Sequence, residues 1–370
     1  MHFTLHTEIP RSLLRGASIF WLDLSVVICG IIQAMQKIKT KDVGRQMKVT
    51  ILGHPTYVSR LTRFFEVIGA SDGSLLLTGP FGCGKEVWLD YVIANSKRSQ
   101  QAIIKVNCAE LAESDATREI FADTAESLLG QAQGGTLVLD EPRYLPISTQ
   151  ASLGKFLEDR KAMDRRTGES RFVDTRIMAM ATDRKALAPM LTYRFAYRVS
   201  IPPLAGRKED IPYLLKGLLR DSSIRYVRYI ALLKLFYNRW GGNVRELKSY
   251  LTQTMAYYQS TATEKFHATG LWGEVSIRYF QDVFAEETWY YDYNFEEDFR
   301  RYFSEILTRT TFREEIINEG LVVPLEKKDA SYLALNIWEE DFEEKAWRIY
   351  RKFADYLEKC KTGVSKDTGL

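Results

Sequence analysis

Apolar positions follow two rhythms along the chain. In the first part, short unbroken apolar runs recur at residues 74–78, 102–107, 136–140, 175–181 and 197–201. Unbroken runs of this length, closed by glycine or polar residues, predict strands buried on both faces. Helical spacing lies between most of them. Residues 56–69 are amphipathic and end at Gly69, and residues 85–94 carry Val87, Leu89, Tyr91 and Val92 at helical intervals. Strands alternating with helices imply a mainly parallel sheet covered on both sides.

After Pro202 and Pro203 the predicted strands stop. Residues 210–219, 229–237 and 244–258 read as helices, the last after a Gly241-Gly242 turn. Beyond residue 260 the rhythm changes again. Aromatic and acidic residues alternate through 286–303, and residues 338–359 place Trp338, Phe342, Ala346, Ile349 and Phe353 on one helical face. The sequence shows no internal repeat and no low-complexity tract.

Composition narrows the classes available. A chain of 370 residues holds two or three domains. A net charge of +3 is too mild to argue for nucleic acid by bulk electrostatics. Cys29, Cys83, Cys108 and Cys360 are scattered, which argues against a disulfide framework or metal site and fits a reducing cytoplasm. Residues 19–32 are apolar except for Asp23 and Ser25. The run is short for a membrane span and its Asp is costly there, so a packed amphipathic helix is expected instead. Met47 is a plausible alternative start.

Candidate chemistry sits at the ends of two predicted strands. Gly79-Pro80-Phe81-Gly82-Cys83-Gly84-Lys85 fits the G-x-x-x-x-G-K pattern between an apolar strand and a helix. Glycines let backbone N–H groups turn around phosphates, and the helix N-terminus adds positive dipole. Lys85 adds a point charge. The next position, commonly Ser or Thr, is Glu86. About fifty residues on, the strand 136–140 ends in Asp140 and Glu141. Beside a phosphate loop, the first carboxylate can organise Mg²⁺ and the second can activate water.

With these motifs in hand, residues 50–258 resemble the central ATPase domain of the sigma-54 activator family, the NtrC-like enhancer-binding proteins of the AAA+ superfamily. The matching stretches are residues 77–86 (LTGPFGCGKE), 106–109 (VNCA), 134–141 (GGTLVLDE), 201–211 (IPPLAGRKEDI) and 240–247 (WGGNVREL). That family also carries Glu at the position of Glu86. The resemblance implies an α/β AAA+ P-loop fold, a three-layer αβα sandwich followed by a small helical lid. It implies ATP and Mg²⁺ as ligands. Residues 79–86 would bind nucleotide with Lys85 on phosphate, Asp140 would serve the metal through ATP, and Glu141 would activate water. Asn107 would hold Glu141 switched off, and Arg245 would reach the nucleotide from the lid. Thr182 stands where the family has its first sensor, in a register ambiguous by one residue. Arg198 matches the second of two arginine fingers. The first finger position falls on Thr192, with Arg194 two residues on as either a substitute or a solvated side chain.

The departures are as informative. The family touches sigma-54 through a loop reading GAFTGA. Residues 119–133 contain no such sequence and are about ten residues too short for the loop. No receiver-type domain is expected before residue 47, and no helix-turn-helix or basic recognition helix is seen after 258. The organisation expected is therefore an extension at 1–46, an α/β nucleotide-binding part at 47–206, a lid at 207–258 and a mainly helical region of unknown role at 259–370. The expected function is an ATP-hydrolysing cytoplasmic protein that assembles as a ring, a hexamer or heptamer. It would remodel an unidentified protein partner or regulate transcription without the usual sigma-54 contact. A nucleotide-dependent assembly switch with little turnover and a conventional sigma-54 activator are the alternatives.

Overall fold

The computed structural model describes residues 41–42, 49–111, 116–122, 126–163, 170–222, 224–261, 271–272, 310–324 and 333–361. The apolar run 19–32, the acidic–aromatic stretch 286–303 and most of the extension 1–46 lie outside them.

The five expected parallel strands form one sheet. They are β2 (Leu75–Thr78), β3 (Ile103–Asn107), β4 (Thr136–Asp140), β7 (Arg176–Ala181) and β8 (Tyr197–Ser200). The two-residue β1 (Lys41–Asp42) pairs antiparallel at the edge, giving the order β1-β3-β4-β7-β2-β8. Successive residues alternate between two cores. Leu76, Ile104, Leu137, Leu139, Ile177 and Ala179 face one, while Leu75, Leu77, Ile103, Val138 and Met178 face the other. Helices α1 (Pro55–Ala70) and α2 (Lys85–Ala94) cover the second face. The first is covered by α3 (Ala116–Phe121), α4 (Leu128–Gln131), α5 (Ile147–Asp159) and α6 (Pro189–Thr192). Residues 123–125, in the segment too short for a GAFTGA loop, lie outside the described set. A small hairpin, β5 (Lys161–Met163) with β6 (Ser170–Phe172), stands apart from the sheet.

Register sets the site. Asn107 pairs with Asp140, and Asp140 with Met180, so the strands finish level at their C-terminal ends. The opposite end is pinned by Arg176. Its fully buried guanidinium donates to the carbonyls of Ile68 (2.6 Å), Gly69 (3.4 Å) and Gly73 (3.1 Å) and to Ser96 Oγ (3.3 Å). Two of these acceptors lie in the last turn of α1, where a cation complements the helix dipole; the Ile68 carbonyl also accepts from the N–H and hydroxyl of Ser71.

The second half departs from expectation. Helices α7 (Asp210–Leu218), α8 (Tyr229–Tyr237) and α9 (Asn243–Thr261) stand where the periodicity predicts them. Strands do not stop at Pro203, however. β9 (Tyr226–Arg228) joins a second sheet with β10 (Leu271–Trp272), β11 (Val323–Pro324) and β12 (Leu333–Asn336), in the order β10-β9-β12-β11. Nor is the region after 259 separate from the lid. Helices α10 (Thr310–Asn318) and α11 (Phe342–Lys361) share one hydrophobic core with α7, α8 and α9. Phe342, Ala346, Ile349 and Phe353 of α11 are completely buried, as their spacing predicts. Tyr350 stacks on Phe236 at 4.7 Å, and Phe353 meets Phe312 edge-on at 5.9 Å. Trp338 precedes the helix, and its indole donates to the Ile224 carbonyl at 2.9 Å. The stripe that looks like a free amphipathic helix is the wall of the lid.

Among the described residues no helix is long and apolar enough to cross a membrane.

Candidate nucleotide site

The loop 79–84 leaves β2 and enters α2 with left-handed backbone at Gly79 (φ 153°), Gly82 (φ 71°) and Gly84 (φ 100°). Side chains are excluded as well as strained at two of these. A Cβ on Gly82 would stand 2.2 Å from the Gly242 carbonyl, and one on Gly79 would stand 2.5 Å from that of Ile201. Lys85 Nζ donates to the carbonyls of Gly79 (2.6 Å) and Pro80 (3.2 Å), so its charge is held within the loop.

The lid closes on this loop through the start of α9. Asn243 donates to the Phe81 carbonyl (2.8 Å), the Val244 N–H donates to the Gly82 carbonyl (3.0 Å), and Asn243 Oδ1 accepts from the Leu204 N–H (2.7 Å). Arg245 is exposed beside Gly82, while Glu246 accepts from the Gly242 N–H at 2.7 Å. A second tie comes from Arg207. It donates to the Cys83 carbonyl (2.5 Å) and pairs with the buried Asp210 (2.8 Å), which also accepts from the His54 N–H at 2.6 Å. Loop, lid and the entry to α1 therefore meet at one charged pair.

Asp140 and Glu141 end the adjacent strand. Burial, then the charge of Glu141, pushes the Asp140 carboxyl above its usual range. Lys85 pulls the other way, and Glu86 adds to the rise. The site thus holds an excess of carboxylate charge that a divalent cation would offset. No cluster of three ligand side chains able to hold a metal occurs among the described residues, so such an ion would need phosphate oxygens to complete its shell.

Glu141 is buried and adopts left-handed backbone (φ 51°), uncommon for a residue with a side chain. The Thr182 hydroxyl donates to its Oε1, and Arg143 Nε lies 3.2 Å from Oε2. Thr182 is thus brought to the carboxylate of Glu141. Asn107 is not: its amide donates to Glu110 (2.9 Å) and its carbonyl oxygen accepts from the Ala109 N–H (3.1 Å). Here Glu141 is held by Thr182 and Arg143, not by Asn107 as the resemblance implied.

The arginine candidates separate. Arg198 is exposed on the edge strand β8, with its guanidinium 5.6 Å from the Tyr193 ring centre. Arg194 is tied within its own chain to Glu158 (2.5 Å) and to the Met190 carbonyl (3.2 Å). Thr192 is buried and donates to the Ala188 carbonyl at 3.3 Å.

Sequence reasoning passed over Arg143, Arg207, Asp210 and Asn243. The last three lie inside the motifs quoted above; Arg207 and Asp210 pair with each other, but the backbone groups they and Asn243 reach are distant in sequence and no spacing reveals them. Arg143 carries no motif signal.

A parallel sheet of this order with a glycine loop after one strand and a carboxylate pair after another defines a P-loop NTPase of the AAA+ type. The fold is shared with NtrX from Brucella abortus. Its ADP complex aligns with a TM-score of 0.52 at 21% identity, covering 66% of this chain and 59% of that one, and its ATP complex gives 0.52 at 20%, covering 66% and 57%. By sequence, the profile of the sigma-54 interaction domain matches residues 51–201. Transcriptional regulatory protein GlrR of Escherichia coli K12 is 33% identical over 54% of this chain and 51% of its own length. The C4-dicarboxylate transport transcriptional regulatory protein DctD of Rhizobium meliloti is 30% identical over 54% and 49%. An uncharacterized protein in the HyuA 5' region of a Pseudomonas species is 31% identical over 49% of this chain and 70% of its own. Residues 51–201 thus match a sigma-54 interaction domain, an ATPase domain of the AAA+ type. The chain spans about half the length of most of the relatives it matches.

Proposed function

We propose that this chain binds MgATP at the loop 79–86 and hydrolyses it in a cytoplasmic ring assembly that acts on a protein partner. The observation that carries this reading is the meeting of Lys85, Asp140, Glu141 and Thr182 at the level ends of β2, β4 and β7, under a lid seated on the phosphate loop. Residues 79–85 offer backbone N–H groups and one ammonium to the phosphates. Asp140 would hold the metal together with phosphate oxygens, and Mg²⁺ would supply charge neutralisation there. Glu141 takes the proton of a water attacking the γ-phosphorus, and ADP leaves. Arg245, exposed beside Gly82, would reach bound nucleotide from the lid. Arg198, exposed on the edge strand, would complete a neighbour's site.

The partner is taken to differ from sigma-54, because residues 119–133 lack the GAFTGA sequence. Binding with little turnover is the second reading. It is favoured by the buried Thr192 and by the internal pairing of Arg194, which leave Arg198 as the one exposed finger candidate among the three.

Turnover measured against protein concentration separates the two. The ring ATPase requires specific activity that rises with concentration. It also requires losses of at least ~100-fold in Glu141→Gln and in Lys85→Ala, and a large loss in Arg198→Ala. Tight ATP binding without turnover at any concentration would leave the switch.

A further inference from the structure

Resting on that ATPase reading, the contacts of Glu141 point to a control element within the chain. A general base must turn a carboxylate oxygen toward water. Here Oε1 takes the Thr182 hydroxyl, and Oε2 faces the Arg143 guanidinium at 3.2 Å. Arg143 and Glu141 are separated by Pro142 alone, within one 3-10 turn at Pro142–Tyr144, so the pairing is local. The contact is an ion pair without hydrogen-bond geometry. Glu141 Oε2 and Arg143 Nε are both buried atoms left without a hydrogen-bond partner. Such orphaned atoms are costly in a packed structure and concentrate where a second arrangement is used.

Arg143 is braced from the other side. Its Nη2 donates to Tyr144 Oη at 2.9 Å, and its guanidinium carbon lies 4.7 Å from the centre of the Tyr144 ring. The Tyr144 side chain is half exposed, and its neighbour Ile147, at the start of α5, is 74% exposed. A surface aromatic thus steadies the cation that steadies the catalytic carboxylate. The remaining charges near the carboxylate pair do not supply that restraint. Lys85 is committed to the loop carbonyls, and the like charge of Asp140 repels Glu141.

We propose that Arg143 is a lock in cis on Glu141. It holds the carboxylate in a resting position, and a contact that displaces Tyr144 from Arg143 releases it for catalysis. Arg143 is a positioning residue, since it acts through Glu141. The device places the brake on the same turn as the base, which lets an event at the exposed Tyr144 reach the site without moving the sheet.

The test uses the full chain with Arg143→Ala, Arg143→Gln, Arg143→Lys and Tyr144→Ala. In the first two, kcat for ATP rises several-fold while KM and the equilibrium affinity for ATP stay within about twofold. Arg143→Lys restores a kcat near that of the parent, and Tyr144→Ala shows a smaller rise. Glu141→Gln abolishes turnover in every background. Independently of turnover, the Arg143 Nε–H resonance in ¹⁵N spectra shifts in Glu141→Gln and in Tyr144→Ala.

A fall in kcat, or no change, in Arg143→Ala overturns the lock, as does an Nε–H signal indifferent to Glu141. Turnover that survives Glu141→Gln overturns Glu141 as the general base, and the lock with it, while leaving an ATPase. Absence of turnover in the parent and in Arg143→Ala alike, with ATP bound, overturns the lock and leaves the switch reading.

Discussion

The two halves of this molecule are held together by different means. The described residues of 49–201 are organised by one sheet whose inner strands are mostly apolar and buried on both faces, with Lys105 as a mid-strand exception paired to Asp90. The described residues of 202–361 are organised by helices around a single core, sealed by strands of two to four residues that come from distant parts of the chain. In the first half position along a strand decides the environment: the interior packs, and the C-terminal tips carry the polar residues of the candidate site. In the second half no single segment closes the core. β9 pairs with β12 more than a hundred residues later, and α11 supplies the wall against which α7 and α8 pack. The nucleotide loop lies between the halves and is bonded by both, through Lys85 on one side and Asn243 with Arg207 on the other.

The strongest way to break this contrast is to weaken each half at its own keystone. Arg176→Met strips a donor from each of the carbonyls of Ile68, Gly69 and Gly73 and from Ser96, while Ile68 keeps its bonds from Ser71. Burial holds the Arg176 pKa down to about 10, so it is charged at neutral pH and its loss is felt there. Phe353→Ala opens a cavity between α8, α10 and α11. Each is expected to cost about 3–5 kcal/mol. The distinguishing measurement is hydrogen exchange by segment. Arg176→Met loses protection across α1 and the sheet. Phe353→Ala loses it together in α7, α8, α11 and the β9–β12 pair. If Phe353→Ala loosens α11 alone, the C-terminal helix is an appendage and the single core is wrong.

A smaller effect sharpens the comparison at the site itself. Asp140 has its carboxyl raised by burial and by Glu141, so the fold disfavours its charged form. A raised carboxyl pKa leaves its stabilising contribution intact below the ordinary carboxylate range, and that contribution is lost as pH rises through the raised value. Asp140→Asn should therefore raise Tm in the absence of nucleotide while abolishing metal-dependent turnover. The gain should be greatest at neutral pH and fade as pH falls toward the ordinary carboxylate range. An unchanged or lower Tm at neutral pH would mean that the charge is already satisfied.

How far the sequence could be read follows the same division. The runs at 74–78, 102–107, 136–140, 175–181 and 197–201 each coincide with an observed strand to within a residue or so at either end. Continuous burial leaves an unmistakable apolar run. β1, the β5–β6 hairpin and the second sheet were not visible, because strands of two to four residues are too short to show alternation. The face of α11 was legible from its spacing, but what it faces was not. Spacing records that a stripe is buried and says nothing of its partner. At the site, Lys85, Asp140 and Glu141 stand where motif and strand end coincide, whereas Thr182 was legible only to within one residue. Arg143 was not, since its role rests on the left-handed turn at Glu141 that folds the chain back on the carboxylate.

Asn107 supplies the finest test of the difference between what a motif implies and what the fold arranges. Its place beside Asp140 in the sheet is the one the resemblance requires. Its side chain nonetheless caps the short turn at Cys108–Glu110 and donates to Glu110. A capping asparagine at an exposed position is worth about 1 kcal/mol at most, and turnover should respond only through that local loosening. Asn107→Ala is therefore expected to lower Tm slightly and to change kcat by less than about threefold. Thr182→Val, which removes a hydroxyl bonded to Glu141, should change kcat by more. A large rise in kcat for Asn107→Ala, with Thr182→Val nearly silent, would reverse the assignment. Control of the catalytic carboxylate would then lie across the β3–β4 pair rather than within the turn that follows β4.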